Sequence, residues 1–152
     1  MKYRTQYQAA DRGAMPMESI QNLPAERRRY FRRCLKIRDK AGNIVPLIPN
    51  PAQERLIGLV EEWEKKYPDP ATRPTLYVII LKARQIGFST CTEALFFHRL
   101  NFTPNTTAMV VSYDEDSAVN INDIAARFYQ HLPAAVKPAQ RPARGKALLL
   151  EN

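Results

Sequence analysis

The sequence predicts an α/β fold in which a parallel sheet is flanked by helices. The first observation is the apolar run from Thr75 to Lys82, whose β-branched and aromatic residues are typical of a strand buried on both faces. The second is a helical pattern on either side of this run. The third is the order strand, helix, strand, helix, strand between Thr75 and Leu150, which favours parallel pairing of the strands.

The amino-terminal part is predicted to hold a basic helix and a β-hairpin. We expect residues 1–18 to form a poorly ordered arm, because they show no periodic apolar pattern. A helix is predicted from Pro24 to Arg33, with proline at a first helical position. Between Cys34 and Ile48 apolar and polar residues alternate on both sides of a short turn, in which Gly42 would take a positive φ.

Four further elements follow after Pro49. An amphipathic helix is predicted from Ala52 to Tyr67, with acidic residues opposite its apolar face. A helix from about Ser89 to Leu100 follows the first buried strand. A second strand from Thr107 to Tyr113 leads into a helix from about Glu115 to His131, and Ala147 to Leu150 forms a last apolar stretch.

The amino-acid composition indicates a globular protein of one domain. The 152 residues are 45% hydrophobic and 25% charged, which is typical of one globular domain. No stretch approaches the roughly 20 apolar residues of a membrane helix, and no secretory signal is visible, so we expect a soluble, cytoplasmic protein. Cys34 and Cys91 are far apart and are predicted to be buried free thiols rather than a disulfide or zinc site.

Positive charge is concentrated near the amino terminus. The formal net charge is +8, and residues 1–48 hold 11 basic and 4 acidic residues. A dense cluster of arginines on the basic helix could neutralise phosphates of nucleic acid. Its members are Arg27, Arg28, Arg29, Arg32 and Arg33. The alternative is a solvated helix face, or a surface that docks on an acidic partner.

The loop from Lys82 to Thr90 lies between a predicted strand and a predicted helix. In the phosphate loop G-x-x-x-x-G-K-[ST], backbone N–H groups hold phosphates, the lysine reaches the outer phosphates and the hydroxyl binds Mg²⁺. Here Gly87 and Ser89 keep their positions, but Lys82 replaces the first glycine and Phe88 the usual lysine. Lys82 and Arg84 could supply the cation instead. The alternative is an ordinary surface turn with two basic residues.

This loop resembles the Walker A loop of phage terminase large subunits, the ATPases that pump DNA into procapsids. Asn50-Pro-Ala-Gln53 also resembles the adenine motif N-P-x-Q of that family, and the similarity covers roughly residues 25–133. The resemblance implies ATP and Mg²⁺ as ligands, with adenine read by Gln53 and the metal held by Ser89 or Thr90. The implied nucleotide-binding set is Gln53, Lys82, Ala83, Arg84, Gln85, Ile86, Gly87, Phe88, Ser89 and Thr90.

The resemblance further implies that residues 19–48 form the basic helix and hairpin and that 49–152 form the amino-terminal part of a P-loop ATPase domain. The implied partners are double-stranded DNA, the portal protein and a small terminase subunit, with a possible homo-oligomer. No later Walker B strand and no nuclease domain are visible, and Asp114-Glu115 is read as a helix N-terminus or, alternatively, a metal site. We therefore expect an amino-terminal fragment that binds nucleotide weakly at best and hydrolyses it slowly or not at all, and we assign no catalytic residue.

Two other functions remain open from the sequence. A helicase-like translocase would also pair an adenine-reading glutamine with a phosphate loop, although Phe88 replaces the lysine expected there. A non-catalytic nucleic-acid-binding remnant would instead depend on the arginine cluster, with the phosphate loop retained as a vestige.

Overall fold

The computed structural model describes residues 22–23, 25–83, 85–141 and 149–151. Helix α1 spans Arg27–Cys34, and strands β1 (Lys36–Arg38) and β2 (Ile44–Pro46) follow it. Helices α2 (Pro51–Lys66), α3 (Phe88–Phe102) and α4 (Glu115–Gln130) come next. A 3₁₀ turn, Ala134–Val136, then leads to strands β3 (Ala139–Arg141) and β4 (Leu149–Glu151). The predicted arm, residues 1–18, lies outside the described residues.

The predicted β-hairpin is present. Strands β1 and β2 pair antiparallel, with Ile37 opposite Val45. Their turn is stabilised by the Asp39 carboxylate, which accepts hydrogen bonds from the backbone N–H groups of Ala41 and Asn43 at 2.9 and 2.8 Å. Gly42 has a φ of +88°, as its position in the turn predicts. The hairpin therefore forms for the local reasons that the sequence indicates.

A single core joins the helices and the hairpin. Helix α3 contacts α1, α2 and α4, and α4 also contacts β1. The fully buried side chains include Tyr30, Phe31, Phe97 and Phe128, and the rings of Phe97 and Phe128 meet edge to face with centroids 5.6 Å apart. Both cysteines are buried free thiols, as predicted.

His98 is part of this core. Its ring packs edge to face against Tyr30 and Phe102, and Nε2 lies 3.2 Å from the carbonyl oxygen of Leu23. Burial lowers the pKa of His98 to about 4, so the ring is neutral at physiological pH. A packing role therefore accounts for His98.

The described strands form two antiparallel pairs, β1 with β2 and β3 with β4. Residues 75–82 and 107–113, predicted as parallel strands, are assigned to no sheet, and Leu149–Glu151 pairs with Ala139–Arg141 instead. The parallel sheet accordingly stays a prediction. Tyr77 belongs to the run that was predicted to be buried on both faces, yet it is 87% exposed because nothing described covers its segment.

None of the described helices combines the length and the apolar character that crossing a lipid bilayer requires.

Candidate functional site

The loop that precedes α3 turns sharply at two residues. Gln85 has a φ of +61° and Gly87 a φ of +77°, so both lie in the left-handed region. Gly87 is the N-cap of α3, and its carbonyl oxygen accepts the first helical hydrogen bond from the N–H of Cys91 at 3.0 Å. Arg84 falls outside the described residues. The turn therefore directs the chain into α3 through a conformation that glycine adopts readily.

Helix α3 begins without a side-chain cap. Asn50 caps α2 and Asp114 caps α4, whereas no described side chain accepts a hydrogen bond from the first turn of α3. That turn also contains no acidic residue. Because the first N–H groups of a helix have no intrahelical partner, those of Phe88, Ser89 and Thr90 can receive an anion.

A cavity of about 310 Å³ opens beside this helix start. Lys82, Phe88 and Ser89 line it, so the structure brings a cation, a hydroxyl and the start of α3 to one place. Ala83 and Gln85 are exposed, and Ile86 is half-buried. The lining is completed mainly by apolar side chains: Ile80, Thr92, Glu93, Phe96, Met109, Val110, Val111 and Ile121.

Two amides of the predicted adenine motif hold the loop in place. Asn50 Nδ2 donates to the carbonyl oxygen of Ile86 at 3.0 Å, and Gln53 Nε2 donates to that of Gly87 at 2.7 Å. Asn50 Oδ1 also accepts from the N–H groups of Ala52 and Gln53, which caps α2. We name these two residues the Asn50–Gln53 tether, because they fix the loop to the N-terminus of α2.

Gln53 is engaged in structural hydrogen bonds at both ends of its amide. Its Oε1 accepts from the N–H of Asn50 at 2.9 Å, which completes a capping box, and its side chain is 5% exposed. A Cβ atom at Gly87 would lie 2.8 Å from Gln53 Nε2, so the loop backbone and this amide are in close contact. To read adenine, Gln53 would have to leave one of these bonds.

Glu93 is a site residue that the sequence analysis missed. It is 8% exposed, it lines the cavity, and no hydrogen bond or ion pair joins its carboxylate to another described residue. Burial raises the pKa of Glu93 to about 7. The available signal was an acid inside the apolar run of α3, one turn after Ser89, where a leucine or alanine would be expected.

Asp114 caps the N-terminus of α4, which is one of the two roles, helix N-terminus or metal site, that the sequence suggested for it. Its carboxylate accepts a hydrogen bond from the N–H of Ser117 at 2.7 Å and from the Ser117 hydroxyl at 3.0 Å. These bonds lower the pKa of Asp114. No cluster of three or more histidine, cysteine or acidic side chains suited to a metal ion occurs within the described part of the chain.

Two arginines of the cluster form ion pairs with acids of α2. Arg27 contacts Glu64 at 2.6 Å, and Arg28 contacts Glu54 and Glu61 at 2.5 Å each. Arg29 lies 3.0 Å from Glu26. Arg32 and Arg33 are exposed. Phosphates of nucleic acid would therefore compete with carboxylates at Arg27 to Arg29, and would meet the exposed Arg32 more readily.

No protein-family model, curated protein or solved structure matches this chain.

Proposed function

We propose that this chain is the nucleotide-binding part of a phage terminase large subunit, with ATP and Mg²⁺ as its ligands. The observation that carries the proposal is the meeting of Lys82, Ser89 and the uncapped start of α3 at one cavity. Phosphates need N–H donors, a mobile cation and a close backbone approach, and these residues offer all three. In the proposed complex Lys82 contacts the phosphates and the Ser89 or Thr90 hydroxyl contacts Mg²⁺.

The Asn50–Gln53 tether supports the same proposal. A phosphate loop binds its ligand best when its backbone is already held in the bound conformation. The two amide bonds to Ile86 and Gly87 hold the loop in this way and connect it to α2. Asn50 and Gln53 therefore position the loop in the free chain. The proposal adds that Gln53 recognises adenine when the nucleotide is bound.

The proposal is limited to binding. Phosphoryl transfer needs a carboxylate that orients the metal and another that polarises water, and Glu93 is the one carboxylate among the described residues that line the cavity. In the packaging motor this part would act in the host-cell cytoplasm, with double-stranded DNA, the portal protein and a small terminase subunit as partners. The exposed Arg32 is where we expect DNA to make its first contact.

Thermal unfolding of the chain with and without millimolar Mg-ATP tests the proposal. A ligand that binds only the folded state raises the free energy of unfolding, by about 1.4 kcal/mol when its concentration is ten times Kd. We expect a higher Tm with Mg-ATP and no shift in Lys82→Ala. Lys40→Ala, which removes an exposed lysine of the hairpin turn, is the matched control and should keep the shift.

Comparison of ligands separates phosphate binding from adenine recognition. If Gln53 reads the base, Mg-ATP raises Tm more than Mg-GTP or Mg-tripolyphosphate at equal concentration. If Gln53 keeps its bonds to Asn50 and Gly87, the three ligands give equal shifts. A folded wild-type chain with no shift for any of them would refute the proposed function.

A further inference from the structure

Two apolar segments are exposed beside the cavity. The first apolar segment, residues 75–81, includes Tyr77, Ile79 and Leu81 at 87%, 98% and 102% exposure. The second apolar segment, residues 107–111, includes Met109 and Val111 at 80% and 78%. The largest exposed apolar patch of a typical monomer covers roughly 300–600 Å² and is often functional. Such a run of large apolar side chains indicates a surface that is covered in the working protein.

The backbone of both segments is also without partners. No backbone–backbone hydrogen bond joins residues 75–81 or 107–111 to any other part of the chain that the structure describes. Unpaired N–H and C=O groups along an apolar segment are a template for another strand. A small apolar ligand or a helix would cover the side chains but leave these backbone groups unpaired. An extended polypeptide can both cover the apolar side chains and form hydrogen bonds with the unpaired backbone groups.

The cavity adds a requirement on the charge of this occupant. Ile80 belongs to the first apolar segment and Val110 to the second, and both line the cavity above α3. Glu93 lies among them, buried and without a described partner, and Lys82 lines the same cavity but forms no ion pair with it. A covering strand would remove the solvent that still reaches the Glu93 carboxylate, so a strand that brings a basic side chain here is favoured.

We propose that the two apolar segments bind an extended polypeptide strand that is apolar on both faces and carries a lysine or arginine directed at Glu93. The strand pairs its backbone with at least one segment and neutralises the carboxylate. This mode is β-strand addition, in which main-chain hydrogen bonds supply affinity and one side chain supplies specificity. The inference does not depend on nucleotide binding, so failure of the Mg-ATP test would leave it unaffected.

The test uses the full chain and three synthetic heptapeptides. The probe is acetyl-TVKVIVT-amide. The charge control has glutamate in place of lysine, and the pairing control has proline in place of the central valine. Affinity is measured by fluorescence anisotropy of labelled peptide, and the binding place by amide hydrogen exchange. We expect the lysine peptide to protect amides in residues 76–81 or 107–111 and to bind about tenfold more tightly than the glutamate peptide, a difference of about 1.4 kcal/mol.

A variant of Glu93 tests the charge requirement. In Glu93→Gln the preference for the lysine peptide should fall to about twofold or less, because the amide attracts neither charge strongly. Glu62→Gln, at an exposed position of α2, is the matched control and should keep the tenfold preference.

Three results would overturn the proposal. The first is no protection with millimolar lysine peptide. The second is equal binding of the proline peptide, which would mean apolar adsorption without strand pairing. The third is protection of the same amides without peptide, rising with chain concentration together with a dimer in sedimentation, which would make a second copy of the chain the occupant.

Discussion

Two regions that each contribute large apolar side chains have opposite environments in the structure. The apolar side chains of α1, α2 and α3 pack into a core in which Phe31 and Phe97 are 0% and 1% exposed. The first apolar segment, with Ile79 and Leu81, is as apolar as any stretch of the chain, yet its side chains are open to solvent. What separates the two regions is therefore the presence of a packing partner rather than hydrophobicity.

The helical region therefore contributes most of the free energy of unfolding of this chain. Burial removes apolar area from water and is worth roughly 25 cal/mol per Å². Helices carry their own backbone hydrogen bonds, so α1 to α4 need only side-chain contacts to be stable in place. A strand needs a neighbouring strand as well. The helical region can therefore be folded in the free chain, while the two apolar segments still lack a partner strand.

The largest expected effect contrasts the two regions directly. Phe97→Ala removes a fully buried ring that packs against Phe128, and we expect it to lower the free energy of unfolding by about 3–5 kcal/mol. Ile79→Ala should change it by less than about 0.5 kcal/mol, because the side chain is 98% exposed. Urea denaturation measures both. A large loss in Ile79→Ala would mean that the first apolar segment is packed in the free chain, which would break the comparison.

The next effect is expected at the boundary between the regions, where the Asn50–Gln53 tether holds the loop. Gly42 and Gly87 both have positive φ, so alanine at either position costs about 1–2 kcal/mol in backbone strain. Only at Gly87 would the new Cβ meet another group, Gln53 Nε2 at 2.8 Å. We expect Gly87→Ala to cost about 1 kcal/mol more than Gly42→Ala, through the disturbed hydrogen bond.

A double-mutant cycle checks this explanation. In a Gln53→Ala background the extra cost of Gly87→Ala should disappear, since the amide that the methyl group would displace is no longer present. Equal costs for the two glycines in the wild-type background would show that the tether does not constrain the loop.

Local chemistry made part of this fold predictable from the sequence. The hairpin follows from its alternating residues and Gly42, and each of the four helices was predicted within a few residues of its bounds. The sequence Asn50-Pro-Ala-Gln53 is also a capping box with proline at the first helical position, so its structural role could have been read beside the adenine motif.

What the sequence could not predict depends on contacts between distant residues. The pairing of Arg27 and Arg28 with Glu64, Glu54 and Glu61 requires α1 and α2 to lie within reach of these long side chains, which no local pattern specifies. The burial of Glu93 likewise depends on Ile80 and Val110, which lie before and after α3 in the sequence. An apolar run also cannot say whether its strand partner is present, so the parallel sheet stays a prediction.

A smaller effect tests how dry the cavity between the apolar segments is. The folded-state pKa of Glu93, about 7, lies above its unfolded value near 4.5. Such an acid weakens folding, with no effect below pH 4.5, an increasing one as pH rises towards 7, and a constant one above 7. We expect Glu93→Gln to stabilise the chain at pH 8 by about 1–2 kcal/mol, after allowance for solvent that reaches the cavity, and to be neutral at pH 4.

Denaturation of the variant and wild-type chains at several pH values measures this difference. Glu62→Gln, exposed on α2, should show no such pH dependence. A Glu93→Gln chain that is no more stable at pH 8 than at pH 4, relative to wild type, would mean that the cavity is hydrated and the apolar segments lie further apart.

The smallest effect on stability distinguishes two parts of the arginine cluster. Arg28 joins the helical region through Glu54 and Glu61, but its side chain is 40% exposed, so Arg28→Met should cost at most about 1 kcal/mol and less at high salt. Arg32→Met, at an exposed position, should leave stability unchanged.

The effects of these two substitutions on DNA affinity should have the opposite order. Arg32→Met should lower the affinity more than Arg28→Met, because phosphates reach Arg32 without displacing a carboxylate. Salt titrations of DNA binding measure this. A greater loss of affinity in Arg28→Met would mean that DNA binding breaks the ion pairs between α1 and α2, and that the helical region rearranges when DNA binds.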